Sequence, residues 1–204
     1  MSIVSQIKAN PTLKKLALWM MIPPGQHKPR FWVKLMVNPF KHKKGKNSII
    51  RHRTRTDVFP YNRFELGERS VIEDFSTINN GVGDVIIGDR TIIGIGNVII
   101  GPVSIGNDVM FAQNIVVSGL NHGYEDVSLP PSVQKETTAQ ISIGDNVWIG
   151  ANSVVTAGVS IGKHVVIGGG SVVTKNIPDY SVAVGNPAKV IKRYNFESQQ
   201  WEKV

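Results

Sequence analysis

A chain of 204 residues, 41% of them hydrophobic, is long enough for one sizeable folded domain with appendages, and its composition excludes wholesale disorder. Cysteine is absent, which rules out disulfide staples, thiolate metal sites and any acyl-cysteine intermediate. The formal net charge of +8 is unevenly spread: residues 1–56 carry 13 Lys or Arg and no acid, whereas residues 57–204 carry 10 basic and 15 acidic residues, a body of −5.

Residues 2–22 read as one or two short helices ended by Pro23 and Pro24. In the segment LKKLALWMMI, Leu13, Leu16, Trp19 and Met20 can share one apolar face at helical spacing, which suits either an interfacial helix or a cap on a neighbouring element. The longest uncharged stretch here, Leu16 to His27, is too short for the ~20 helical residues that cross a bilayer, and no small-residue cleavage site follows it. A cytoplasmic protein is expected, with a peripheral place on the inner face of a membrane open to it. Residues 28–56 read as a basic connecting segment in which Arg51, His52, Arg53 and Arg55 could help shape a large or anionic ligand. A head this basic can attract anionic lipid or a polyanionic glycan, pair with an acidic neighbouring subunit, or stand in solvent; no nucleic-acid partner is expected.

From Leu66 the chain repeats every six residues, with an aliphatic residue usually followed by Gly or another small or polar residue and often by a small or β-branched residue four places on. One phase gives Leu66, Ile72 and Ile78; a second gives Ile87, Ile93, Ile99, Ile105, Phe111 and Val117; a third gives Ile143, Ile149, Val155, Ile161, Ile167 and Val173. Counted in threes these are five turns of 18 residues. A period of six matches neither an α-helix nor an uninterrupted strand and belongs to the β-helix class of solenoids, each hexad giving one short strand and one corner. Glycines such as Gly67, Gly88 and Gly106 are expected to serve the corner backbone, and 18 of the 20 Gly lie between 67 and 185. The expected organisation is a basic N-terminal helical and connecting segment, 1–56; an all-β solenoid, 57–184, with an inserted loop, 118–142, containing NHGYEDVSLPP; and a C-terminal extension, 185–204, of a strand and a short helix. A long loop inserted at a solenoid corner is a carrier of function.

The stretches IGNDVMFAQNIVVSGLNHGYED, IGDNVWIGANSVVTAGVSIGKHVVIGGGSVVTKNIP and GNPAKVIKR resemble the hexapeptide-repeat acyltransferases, most closely their sugar O-acetyltransferase branch, which includes galactoside, maltose and surface-polysaccharide O-acetyltransferases. The resemblance covers roughly residues 57–193. It implies a left-handed parallel β-helix, a homotrimer with active sites at subunit interfaces, acetyl-CoA as co-substrate without a metal, and a sugar or glycan hydroxyl as acceptor. It also places His122, 17 residues after Ile105, where the family has its catalytic histidine. The chemistry suits that residue type: a sugar hydroxyl is very weakly acidic, and a neutral imidazole, titrating near ~6.5 when unperturbed, can take its proton as the C–O bond forms. Asn121, Glu125, Asp126 or a backbone carbonyl could orient the ring, the carbonyl being the expected partner.

By the same resemblance Trp148 and Asn121 are acceptor-site candidates, though Trp148 equally suits burial between subunits. The N–H near Ala151 is placed to stabilise an oxyanion. Ala151, Gly169, Thr174 and Lys175 fall at CoA-contact positions, and Lys189 and Lys192 stand where arginines meet the CoA phosphates, keeping the charge without the bidentate fork. Ile92 and Ile100 replace the polar pair that galactoside acetyltransferase presents to its acceptor, which disfavours small free galactosides. Two rival functions remain at this level, a non-catalytic scaffold binding polyanions and an N-acetyltransferase of a sugar nucleotide. A carbonic anhydrase would need three histidines on one metal, and the repeat holds only His122 and His164.

Overall fold

A computed structural model describes residues 6–7 and 9–204. The remainder of the expected first helical region, residues 1–5 and 8, lies outside the described residues. Within it, helix Pro11–Met21 starts where Asn10 caps it, its side-chain oxygen accepting from the N–H groups of Thr12 and Leu13 at 3.0 and 3.1 Å, with Pro11 at the first turn. Residues 31–41 are helical as well, a π-helical stretch Val33–Val37 continued by the α-helical turn Asn38–Lys41. This second helix sits at the open N-terminal end of the solenoid: Val33 is fully buried, and buried Asn38 donates from Nδ2 to the carbonyl of Val58 at 2.8 Å. A cleft of about 970 Å³ remains beneath it, lined among others by Lys34, His42, Ile50, Val58 and Leu66. Burial holds the Lys34 ammonium and the His42 imidazole below their ordinary titration ranges, because desolvation penalises their charged forms.

The solenoid is a three-faced prism of parallel strands. The first face stacks Lys43–Lys44, Phe64–Leu66, Val85–Ile87, Val103–Ile105, Ile141–Ile143 and Ser160–Ile161. The second stacks Ile49–Ile50, Val71–Ile72, Ile92–Ile93, Met110–Phe111, Trp148–Ile149, Val166–Ile167 and Ser181–Val184. The third stacks Arg55–Asp57, Thr77–Asn79, Val98–Ile100, Val116–Ser118, Val154–Val155 and Val172–Val173. All fifteen aliphatic or aromatic positions of the sequence repeat point inward, from Leu66 to Val173, and none is more than 4% exposed. Each buried side chain of this size contributes about 1.5–3 kcal/mol relative to exposure. The residues four places on are buried as well, except Val82 and Asn121, and buried polar ones are satisfied: Thr91 Oγ1 donates to the Gly106 carbonyl at 2.8 Å, and Asn97 Nδ2 to the Ala112 carbonyl at 2.9 Å.

The helix over 31–41 lies where a connecting segment is expected from the sequence, and the prism itself differs as well. A coil precedes the expected five, because Lys43–Asp57, read as connecting segment, pairs in register with the next coil: Lys44 with Leu66, Ile50 with Ile72 and Thr56 with Ile78. Its period of six was hidden by Lys44 and Thr56, which can occupy inward positions because this coil is the mouth of the prism. The glycines after the inward residues do not form the left-handed corners. The positive-φ corner residue is the third after the inward one and is often Asn or Asp, as at Asp108 and Asn114, both with φ of 56°. Gly67, Gly88 and Gly106 are needed for another reason: a Cβ on Gly67 would run into the backbone of Gly88, and one on Gly88 would lie 2.5 Å from the carbonyl oxygen of Gly106.

At the far end, Lys189–Asn195 turns back antiparallel on Ser181–Val184 and forms a hairpin with Gln200–Lys203. The short terminal helix expected here is a strand. Tyr194 packs edge-on against Trp201 across that hairpin, with ring centroids 5.5 Å apart, the kind of cross-strand aromatic pair that stabilises β structure.

Candidate functional site

The inserted loop leaves the prism after Val116–Ser118, at the corner between the third and first faces, and returns as a hairpin. Leu120 pairs with Thr138 and Asn121 with Thr137, antiparallel, so the next residues outward, His122 and Glu136, face each other. His122 Nδ1 lies 3.6 Å from Glu136 Oε1, both side chains being about half exposed. Glu136 is the residue that sequence reasoning missed as the partner of His122. Its signal was present only in the pairing register, which no motif displays. The acidic neighbours are engaged elsewhere: Glu125 accepts from the N–H of Tyr124 at 2.9 Å, and Asp126 from the backbone and hydroxyl of Ser128. These bonds hold both carboxyls below their ordinary titration range, by hydrogen bonding to the ionised form.

The hairpin is braced from within. Gln134 Nε2 donates to the carbonyls of Asp126 and Leu129 at 2.9 and 2.8 Å, tying the loop tip to the segment that leads through Glu136 into Thr137–Thr138. Gly123, beside the histidine, is buried because residues 134–135 pass against it; a Cβ there would lie 2.8 Å from the Lys135 carbonyl. The Glu136 carboxylate stands beside Nδ1 at a distance longer than a hydrogen bond, and Nε2 lies on the other side of the ring. Asn121 is exposed on the neighbouring hairpin position.

Trp148 stands on the second face, about half exposed, in register between Met110 and Val166. Ile92 and Met110 continue the same ladder and are exposed to the same degree, forming an apolar stripe down that face. Ile100 lies on the third face, paired with Ser118, so Ile92 and Ile100 do not meet on one surface. The corner carrying the hairpin is opposite the second face of the prism, and a single chain does not bring His122 and Trp148 together.

Ala151 and Gly169 follow the strands of Trp148 and Val166, at the corner between the second and third faces. Their neighbours are bonded from coil to coil: Gly150 N–H to the Ile167 carbonyl at 2.8 Å, Asn152 N–H to Gln113 at 2.9 Å, and Gly170 N–H to Ala151 at 2.8 Å. The N–H groups of Gln113, Ala151 and Gly169 donate no hydrogen bond among the described residues, which leaves a column of donors one coil apart, about 4.8 Å. Thr174 and Lys175 are exposed at the other edge of the third face, after Val172–Val173.

Lys189 and Lys192 are three apart, an odd spacing that would put them on opposite sides of a regular strand. A bulge changes that. Lys189 pairs with Val184 and Lys192 with Val182, the register shifting between Val182 and Ala183, and both partners lie on the outward side while Ala183 is buried. Both lysines therefore face outward, Lys192 on the ladder that runs Trp148, Val166, Val182. The other histidine of the repeat, His164, stacks on Tyr180 with ring centroids 5.1 Å apart, remote from His122 in the fold.

Comparison with known proteins places this architecture. Residues 140–175 match the hexapeptide repeat of succinyl-transferase. A Dictyostelium discoideum protein provisionally named an acetyltransferase is 31% identical over 155 residues, which cover 75% of this chain and 80% of that one. The chain belongs to the hexapeptide-repeat acyltransferase family. Within this family its prism is the left-handed parallel β-helix. WbbJ of Escherichia coli K12, provisionally named a lipopolysaccharide biosynthesis O-acetyltransferase, is 38% identical over 108 residues, 50% of this chain and 55% of that one. The crystal structure of a maltose O-acetyltransferase from Clostridium difficile 630 superposes with a TM-score of 0.50 at 30% identity, covering 92% of this chain and 87% of that one. The chain spans only 36–55% of the length of the first curated relatives it matches.

Proposed function

We propose that this family member transfers the acetyl group of acetyl-CoA to a hydroxyl of a sugar, in a surface polysaccharide or a precursor of one, with His122 as general base. The observation that supports the reading is the hairpin that sets Glu136 Oε1 3.6 Å from Nδ1 of His122, on the side of the ring away from Nε2. The relatives named for sugar and polysaccharide O-acetylation support the same substrate class. Nε2 takes the hydroxyl proton as the acceptor oxygen bonds to the thioester carbonyl carbon. The oxyanion that develops is met by a backbone donor such as the free N–H of Ala151, and collapse breaks the C–S bond while the proton passes from Nε2 to sulfur, releasing the sugar ester and CoA thiol. The amide column at Ala151 and Gly169 suits the pantetheine arm, and Lys189 and Lys192 the CoA phosphates. Thr174 and Lys175, at another corner, contact CoA only from a neighbouring subunit.

The opposed positions of His122 and Trp148 support a homotrimer in which each site takes the hairpin of one subunit and the second face of the next, Asn121 and Trp148 both lining the acceptor pocket. No helix among the described residues is long and apolar enough to cross a membrane. The acetyl-CoA requirement favours the cytoplasm. The reading is tested by incubating purified protein with acetyl-CoA and a panel of glycans and glycan precursors, measuring free thiol and the mass of each acceptor. Thiol release matched by one acetyl mass on a hydroxyl is expected. Absence of transfer to every hydroxylated or amino acceptor returns the protein to the scaffold class, and transfer to amines alone makes it an N-acetyltransferase.

Two substitutions divide the roles. Glu136→Gln, which keeps the size of the side chain and removes its charge, is expected to lower kcat roughly tenfold with KM for acetyl-CoA unchanged, and Glu136→Asp to recover part of it. An exposed pair at this distance is screened by water, so a larger loss is not expected. Equal kcat for all three proteins would leave Glu136 without a positioning role. Replacing Lys189 and Lys192 together by Ala is expected to raise KM for acetyl-CoA and flatten its salt dependence, each contact contributing about 1.5–3 kcal/mol at most. An unchanged KM would return both lysines to a solvated tail.

A further inference from the structure

The helix over residues 31–41 buries one side and leaves the other without a partner. Winding with i→i+5 bonds brings residues four and five apart onto one side, so Val33, Val37 and Asn38 face the prism while Phe31, Leu35, Met36 and Phe40 face away. Those four are 78%, 62%, 65% and 85% exposed, far beyond what scattered surface hydrophobics show. Helix Pro11–Met21 adds Leu13, Leu16, Trp19 and Met20, each about half exposed, and is tied to the second helix because the Arg30 guanidinium donates to the Trp19 carbonyl at 3.2 Å and lies over its ring.

The charge around this surface is of one sign. Lys14, Lys15, Lys28, Arg30 and Lys41 lie on or between the two helices; none forms an ion pair among the described residues, and the first 56 residues hold no acid. Aromatic and long apolar side chains ringed by unpaired cations match a lipid interface, where rings enter the headgroup boundary and lysines meet anionic headgroups. A second copy of this face would bring two cationic surfaces together and is disfavoured.

We infer that the outward apolar face of residues 11–41 docks the protein onto an anionic lipid bilayer. This names a partner for the enzyme proposed above, and places its acceptor among molecules held at a membrane surface. The inner side of the same helix closes the prism end, so capping and docking use opposite sides of one element.

Vesicles of phosphatidylcholine with and without phosphatidylglycerol test the inference by co-sedimentation of the full chain. Binding is expected only with the anionic lipid, weakened by added salt. Phe31→Ser combined with Phe40→Ser is expected to reduce the partition coefficient about tenfold or more, with melting temperature, oligomer size and acetyl transfer to a soluble acceptor unchanged. Lys14→Glu with Lys15→Glu and Lys28→Glu should abolish the anionic preference. No vesicle binding by the wild-type chain, or equal binding by the Phe variant, overturns the inference. A smaller oligomer in the Phe variant also overturns it, by showing that another subunit covers this face. Acetyl transfer is read on the same samples: vesicle binding without it would refute only the enzymatic reading, and transfer without vesicle binding only the docking surface.

Discussion

His122→Ala is expected to lower kcat about a hundredfold or more while leaving acetyl-CoA affinity and melting temperature nearly unchanged. The side chain is more than half exposed and makes no hydrogen bond that holds the hairpin, which is braced instead by Gln134 and by the pairing of residues 120–121 with 137–138. Its loss therefore removes a proton acceptor and little else. Steady-state kinetics with acetyl-CoA and the best acceptor from the glycan panel separate the two quantities. A fall in kcat with constant KM for acetyl-CoA marks a group acting only as the acceptor oxygen attacks. Undiminished turnover would remove His122 from the mechanism and with it the role given to Glu136. His164→Ala provides the control: stacked on Tyr180, it is expected to leave turnover unaffected.

The repeat was legible because its physics is local and periodic. An inward side chain every six residues can be counted, and every counted position from Leu66 to Val173 is buried. What escaped was what the period does not encode. The first coil reads as a basic tail, since a residue at the mouth of the prism need not be apolar and Lys44 replaces an aliphatic there. The helix over 31–41 is hidden among the same cations, its inner side burying just Val33 and Asn38 among the described residues. Glycine follows many of the inward residues, and its reason is not legible in the sequence, because a close approach between successive coils and a left-handed corner predict the same residue type. The close approach decides Gly67 and Gly88, and the left-handed corner falls elsewhere, on residues such as Asp108 and Asn114.

The site divides in the same way. Residue types in a motif single out His122 and Trp148 as candidates, but the neighbour of His122 depends on a hairpin register that sets Glu136 opposite it, 14 residues downstream. The shared side of Lys189 and Lys192 depends on a bulge, which spacing alone contradicts. The separation of His122 from Trp148 depends on which corner of the prism releases the inserted loop. Each is a consequence of how neighbouring segments pair, and none is a property of the segment itself.

That separation carries the central claim, that the acyl-transfer site is assembled from two subunits. Chains bearing His122→Ala and chains bearing Trp148→Ala, each inactive or nearly so alone, can be unfolded, mixed in equal amounts and refolded into mixed oligomers. If one subunit supplies the histidine and the next the tryptophan, a site is intact whenever a Trp148→Ala chain presents its hairpin to a His122→Ala chain, which random assembly gives in about one quarter of sites. The account predicts recovery of about a quarter of wild-type turnover per site in the refolded mixture, and none when the two proteins are mixed folded without exchange. Turnover in the refolded mixture no higher than the mean of the two parents would contradict it, placing both residues in one chain's site or outside the chemistry altogether.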